Sequence, residues 1–530
     1  MAVNLRIDNQ TVTVAEGTTL LAAASRAGIR IPTLCNLEGV CSPGTCRVCL
    51  VEVQGSRTLQ PACVTAVAEG MVVRTTSPAA REARRLSVEL LLANHPWDCN
   101  ECVRNGSCEL QTLARQLGIT RVRFGYDRDE MPIDDSTPAL VRDMNKCVLC
   151  RRCVAVCGDV QGISSLTPRS RGFETVIGAG AGERLADAIC VQCGQCSAVC
   201  PVGAIHEKDA IDGVARALDD PTRHVVVQTA PAIRAALGEC FGLPPGTRVT
   251  GKMVTALRRM GFAKVFDTNF TADLTIIEEG HELLGRLKRA LVDKDTSVSL
   301  PMFTSCSPGW INFMEYYYPQ LLPNLSTCKS PQQMFGALAK TYYAQKAGVD
   351  PKDMVVVSVM PCTAKKYECE RPEMSASGYK DVDWVMTTRE LGRMIEEWGI
   401  DFLGLPDGEQ DAPMGMSTGA ADIFANTGGV MEAALRTVHE VVTGRELPMK
   451  DLHVQPVMGL RGLKEAEITF EGCLPAWKFL DGVTARVAVA HGLANARAVC
   501  DMVASGKAQY HFIEIMCCPG GCIGGGGQPR

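Results

Sequence analysis

Apolar and polar residues alternate at the start of the chain, at Val3, Leu5 and Ile7 and again at Val12 and Val14. A period of two marks half-buried strands, so two strands are expected here, followed by helices over 20–27 and around 81–93. From about residue 211 the pattern changes to apolar runs that alternate with helical segments. His224-Val-Val-Val-Gln228 reads as a strand, 232–241 and 252–260 as helices, and 263–266 as a strand. Further strands are expected near 355–360, 484–490 and 511–516. This predicts an α/β fold for residues 211–530 behind a smaller, strand-led N-terminal region.

Three apolar runs end in cysteine: Met302-Phe-Thr-Ser-Cys306, Met354 to Cys362, and Phe512-Ile-Glu-Ile-Met516-Cys517-Cys518. Ligands of open α/β sheets collect outside the carboxyl ends of strands. The three ends therefore read as one buried metal site assembled from distant sequence. Composition supports metal chemistry. The chain has 530 residues, enough for about two to four domains, and 26 cysteines. Most of these are two or three residues apart, a spacing that favours metal ligation over disulfides. A net charge of -5 without a basic stretch gives no sign of nucleic-acid binding. No run approaches ~18 apolar residues, so no membrane span is expected. The first residues show neither an export signal nor a twin arginine, which points to the cytoplasm.

The cysteines fall into blocks. Residues 1–77 carry Cys35, Cys46, Cys49 and Cys63, a loop plus a remote fourth cysteine, similar to the plant-type [2Fe–2S] pattern but with a longer first spacing. A zinc ribbon is the alternative, and Cys41 reads as a spare loop residue. Residues 78–125 carry His95, Cys99, Cys102 and Cys108, which suit zinc or iron equally well. Their place between two iron–sulfur patterns favours a [4Fe–4S] cluster. Residues 126–210 carry Cys147-x2-Cys150-x2-Cys153-x3-Cys157 and Cys190-x2-Cys193-x2-Cys196-x3-Cys200-Pro201. This is the two-cluster bacterial ferredoxin run, in which each fourth cysteine serves the other cluster. Cys147, Cys150, Cys153 and Cys200 are expected on one cubane, and Cys190, Cys193, Cys196 and Cys157 on the second. The glycine-rich insert 178–183 lacks the strand–helix context of a nucleotide site. The run Gly524–Gly527 reads as a flexible turn.

The segments Thr304-Ser-Cys306-Ser307-Pro308-Gly-Trp310, Met360-Pro-Cys362-Thr-Ala-Lys365-Lys366 and Glu514-Ile-Met516-Cys517-Cys518-Pro-Gly-Gly-Cys522 resemble the three signatures of [FeFe]-hydrogenases, and the resemblance runs the length of the chain. It implies a β-grasp [2Fe–2S] domain, a His/Cys3 segment, a two-cluster ferredoxin domain and, over 211–530, an α/β catalytic domain. The cofactors it implies are one [2Fe–2S] cluster, three accessory [4Fe–4S] clusters and an H-cluster. The H-cluster is a cubane joined through a cysteine sulfur to a two-iron subsite carrying CO and CN⁻. By position, Cys362 and Cys518 match cubane ligands, Cys522 the bridging ligand, and Lys365 the donor to a cyanide. Met360, Met516, Pro231, Gln332, Ser330 and Phe424 match the pocket lining. Cys306, Glu279, Ser326, Glu282 and Arg286 match the proton path. The last two share a helix face with Glu279 by their spacing, and the Cys306 thiol, with an ordinary pKa of ~8.5, suits a relay.

Three departures stand out. Ser307 replaces the cysteine that normally completes the cubane. Ser307 as alkoxide, Cys306 shifted by one, and Cys328 reaching in are the open solutions, with Cys328 favoured. Ala232 replaces a serine often found after Pro231. The sequence stops at Gln528-Pro-Arg530, where many relatives continue, so that piece is either a separate small subunit or absent from this chain. The expected activity is reversible proton reduction to H2. The expected electron partners are ferredoxin or a separate flavin- and NAD(P)-binding subunit, since no nucleotide motif is evident. A hydrogen or redox sensor on the same fold, and a non-catalytic iron–sulfur carrier or assembly factor, are the alternatives.

Overall fold

The computed structural model describes all residues except 126–129, 181, 183, 448–454, 457–461, 508 and 530. The boundary expected at 125/126, part of the 178–183 insert and the terminal Arg530 lie outside the described residues. At the N-terminus the alternating residues form the strands Ala2–Ile7 and Gln10–Ala15, paired antiparallel with Val3, Leu5, Ile7, Val12 and Val14 turned inward. They extend into a five-stranded sheet in the order 10–15, 2–7, 72–74, 50–53, 60–61. Leu20–Arg26 is the expected helix, and the Thr19 side chain accepts the Ala22 N–H at its start.

The next helix, Pro78–Ala93, begins with Ser77 as cap and proline in its first turn, a favourable pairing. The two ferredoxin-like repeats are held by the antiparallel pair Leu140–Arg142 and Ile205–Glu207. Between the repeats, Leu166–Arg169 and Val176–Ala179 form a hairpin.

Two sheets organise the remainder. One is fully parallel, in the order Lys264–Asp267, His224–Thr229, Met354–Met360, Trp384–Thr387. Its central strands are almost wholly buried, as their continuous apolar runs require when helices cover both faces. The other runs Met302–Phe303, Phe512–Met516, Thr484–His491, Leu463–Thr469, Gln455–Pro456, with the first three strands parallel. The cysteine-tipped ends expected from the sequence thus come from two sheets. The helix expected over 232–241 is broken: an α-turn spans Ile233–Ala236, and a tighter 3-10 turn follows to Phe241. Gly238 weakens its interior, and Gly242, at φ 78°, ends it.

Candidate metal centre and proton route

In the N-terminal sheet domain, the Cys35 thiol lies within hydrogen-bonding reach of Cys46 and Cys63, and Cys49 within reach of Cys63. All four are buried. Cys41 instead turns back on Leu37 through the backbone. His95, Cys99, Cys102 and Cys108 line one small cavity. Cys147, Cys150, Cys153 and Cys200 line another, walled by Ile177, Val202 and Ile205. Cys196 has Cys193, Cys190 and Cys157 as neighbours. The crossed ligand sets expected from the sequence are therefore the sets brought together. Among the described residues no three His, Cys, Asp or Glu side chains converge as they would on a single ion. Thiols are grouped in fours, with His95 in place of one, a donor chemistry that fits iron–sulfur clusters.

In the catalytic region Cys362 and Cys518 follow the carboxyl ends of strands from different sheets, and their thiols are within hydrogen-bonding reach of each other. Cys517 reaches Cys518 and also Cys193 of the ferredoxin-like domain. Cys522 opens a 3-10 turn nearby, where it feels the charges of Cys518 and Lys365. Four thiols on two strand ends and one turn make a donor set that suits an iron–sulfur cubane with an additional bridge. Cys328 does not join this set. Its Sγ points at Glu282 Oε2, 3.9 Å away, and its charged neighbours are Glu279, Glu282 and Glu278.

Lys365 Nζ donates to the Cys306 carbonyl at 3.0 Å and to Glu368 Oε2 at 2.9 Å. Glu368 also accepts from Ser330 Oγ at 2.9 Å and Gln332 Nε2 at 3.0 Å. The sequence reading missed Glu368, although its spacing of three from Lys365 was a usable signal. Met516 and Phe424 share an apolar cluster with Ile276, against which Cys306 packs. Met360 is buried in the core of the parallel sheet, and Pro231, half-buried, follows its strand 224–229. A second missed carboxylate, Glu514, is fully buried and accepts the N–H groups of Gly428 and Met431, both at 2.7 Å, at the start of helix Gly429–Thr443. Helix N-termini favour such anions.

The five residues expected on the proton path lie close together. Glu279, Glu282 and Arg286 share the helix Asn269–Leu291. Arg286 Nη2 donates to Glu282 Oε1 at 2.7 Å, and Ser326 Oγ to Glu282 Oε2 at 2.9 Å. Glu279 Oε1 accepts from the Ser305 amide and hydroxyl, both at 3.4 Å. Burial pushes the Glu279 carboxyl up to about 7, against the pull of the Ser326 hydroxyl and Ser305 amide. Burial, with the Glu279 charge adding to it, raises the Cys306 thiol well above its ordinary range, so this thiol keeps its proton at neutral pH.

Gly524–Gly527 is not a flexible turn. Residues 525–527 are buried, and side chains there would collide with three separate neighbours. A Cβ on Gly525 would run into the Pro361 carbonyl oxygen and one on Gly526 into that of Cys193, while one on Gly527 would lie 2.7 Å from Thr387 Cγ2. The Gly526 N–H also reaches the Cys518 thiol. Arg389 anchors this tail through the carbonyls of Gly526 and Gln528 and pairs with Glu207.

Known proteins resemble this chain over nearly its whole length. The family profile described as iron only hydrogenase large subunit, C-terminal domain, matches residues 223–526. Upstream, a 2Fe-2S iron-sulfur cluster binding domain matches 1–78, the NADH-ubiquinone oxidoreductase-G iron-sulfur binding region 84–123, and a 4Fe-4S dicluster domain 146–204. The NADP-reducing hydrogenase subunit HndD of Solidesulfovibrio fructosivorans is 52% identical, over 99% of this chain and 88% of its own. Iron hydrogenase 1 of Clostridium pasteurianum is 42% identical, over 97% and 87%. A solved structure of the [FeFe]-hydrogenase HydA1 from Chlamydomonas reinhardtii is 46% identical with a TM-score of 0.55, over 61% of this chain and 85% of that one. No helix among the described residues is long and apolar enough to cross a membrane. With iron–sulfur domains upstream of a thiol-lined centre and buried carboxylates beside it, the chain belongs to the [FeFe]-hydrogenase family as a catalytic subunit.

Proposed function

We propose that the chain interconverts H2 with two protons and two electrons as the hydrogen-reacting subunit of an NAD(P)-linked complex. One [2Fe–2S] and three [4Fe–4S] clusters serve as its wire. The observation that carries this reading is the contact of Cys517 with both Cys193 and Cys518, which sets the second ferredoxin-type site against the catalytic thiols. The 52% identical relative named as NADP-reducing supports a pyridine-nucleotide partner, bound by a separate flavin-containing chain. A ferredoxin is the alternative carrier. A separate small subunit and a cytoplasmic location complete the proposal.

Cys362, Cys518 and Cys522 would hold the H-cluster, which when bound supplies the heterolytic chemistry of H2. Lys365, oriented by Glu368, is the donor for an anionic iron ligand. Met360, Met516 and Phe424 keep water out, while Ser330, Gln332 and Pro231 complete the wall. Cys306 hands its proton to or from Glu279. A carboxyl near pKa 7 both takes and releases protons at neutral pH. Ser326, Glu282 and Arg286 continue the route toward the half-exposed end of the helix. Infrared spectroscopy of the anaerobically matured protein tests the reading. Bands of metal-bound CO and CN⁻ are expected, and their absence after maturation would sink it.

A further inference from the structure

The Ser307 substitution removes a thiolate from the place where this family holds its cubane, and a serine hydroxyl is a poor ligand for an iron–sulfur cluster, which thiolates normally bind. The structure contains a replacement one strand away. Cys517 is 3% exposed, and its thiol is within reach of Cys518, which in turn reaches Cys362. Its backbone N–H donates to Ser307 Oγ at 3.4 Å, so the residue that lost the sulfur and the residue that carries one are direct neighbours.

The space for this thiol is built in. A Cβ on Gly309, two residues after Ser307, would lie 2.7 Å from Cys517 Sγ. Any side chain at 309 would push the sulfur out of its slot. Strand alternation does not keep Cys517 and Cys518 on opposite sides. The strand ends at Met516 and the chain bends at 517–518, so both thiols turn to one side and touch. Cys369 is a buried thiol of the ordinary kind, satisfied by the Lys366 carbonyl at 3.2 Å. The side-chain partners of Cys517 are two thiols, Cys193 of the ferredoxin-like domain and Cys518. Cys328 faces Glu282, and Cys306 packs against Met516 and Phe424 beside Glu279.

We propose that Cys517 is the fourth ligand of the H-cluster cubane, in place of the residue at 307. Ligation forms the Fe–S bond and releases the thiol proton. Cys328 and Cys306 then stay free for proton traffic. This assignment rests on the H-cluster reading above. CO and CN⁻ bands of the unaltered protein test that reading, and the iron content of the variants tests the ligand.

The experiment uses the full-length, matured chain and measures iron, acid-labile sulfide and electron paramagnetic resonance. Cys517→Ala should lose one cubane's worth of iron and sulfide per chain, with the accessory-cluster signals intact. Adding Ser307→Cys to that variant should restore both, because it returns a thiolate to the neighbouring position. Cys328→Ala should keep the full iron content. Retention of the cubane in Cys517→Ala, or a loss that Ser307→Cys leaves unrepaired, overturns the assignment.

Discussion

Glu368 Oε2 lies 2.9 Å from Lys365 Nζ, and the same oxygen accepts from Ser330 and Gln332. One buried carboxylate thus orients three pocket residues. Glu368→Ala leaves the buried ammonium without its carboxylate partner, only the Cys306 carbonyl remaining, and should cost about 3–5 kcal/mol. Glu368→Gln, which keeps an acceptor, should cost less. Thermal unfolding of the two variants against the parent chain measures this, and an Ala variant that melts like the parent would refute it.

Glu279 gives a pH signature. Its folded pKa of about 7 stands above the ordinary 4.5. Its contribution to stability is then fully present below about 4.5 and is lost as pH rises through about 7. Glu279→Gln mimics the protonated form. At pH 8 this variant should be more stable than the parent, by on the order of 3 kcal/mol, and at pH 4 it should match it. Some slope should remain, because Glu514 titrates in the same window, also near 7. H2 turnover should fall by roughly 10²–10⁴. Unchanged turnover would remove Glu279 from the proton route.

Cys306→Ala should abolish turnover while leaving iron content and CO and CN⁻ bands in place. Its thiol is close enough to Glu279 to feel its charge and packs against the apolar cluster that contains Ile276 and Met516. Loss of the cubane in this variant would make Cys306 a ligand and not a relay.

Cys153→Ala should empty the cavity it lines with Cys147, Cys150 and Cys200. H2 evolution driven by a protein donor should fall sharply. H/D exchange, which needs no long-range electrons, should persist. Equal loss of both activities with an intact H-cluster would contradict the wire.

Arg389→Ala should release the C-terminal glycine run. Arg389 ties Gly526 and Gln528 to Glu207, whose side chain is only 7% exposed. The variant should lose about 3 kcal/mol and become open to proteolysis after Cys522. A tail as resistant as the parent's would show that packing of the glycines alone suffices.

Local spacing made the accessory cysteines legible as groups, since most lie two or three residues apart, while Cys63, Cys157 and Cys200 join their groups from farther along the chain. The strand ends were legible because continuous valine and methionine runs belong in doubly covered sheets. Cys328 misled because it is near Ser326 and Ser330 in sequence, whereas its direction depends on Glu282, 46 positions away. Glu514 looked like an ordinary strand residue until the helix at 429 supplied the two N–H groups that make its burial tolerable. The glycine run looked loose because its constraints come from Pro361, Thr387 and Cys193, none of them near in sequence.

At Gly526 a single bare peptide unit separates the Cys193 carbonyl from the Cys518 thiol. Electron tunnelling slows exponentially as donor and acceptor draw apart. The hydrogen atom that serves as a side chain at 526 is thus a setting on the clock of the enzyme. A methyl group there would meet the backbone of Cys193 and Gly194, and on the function proposed above it would wedge the last relay away from the site where charge is spent.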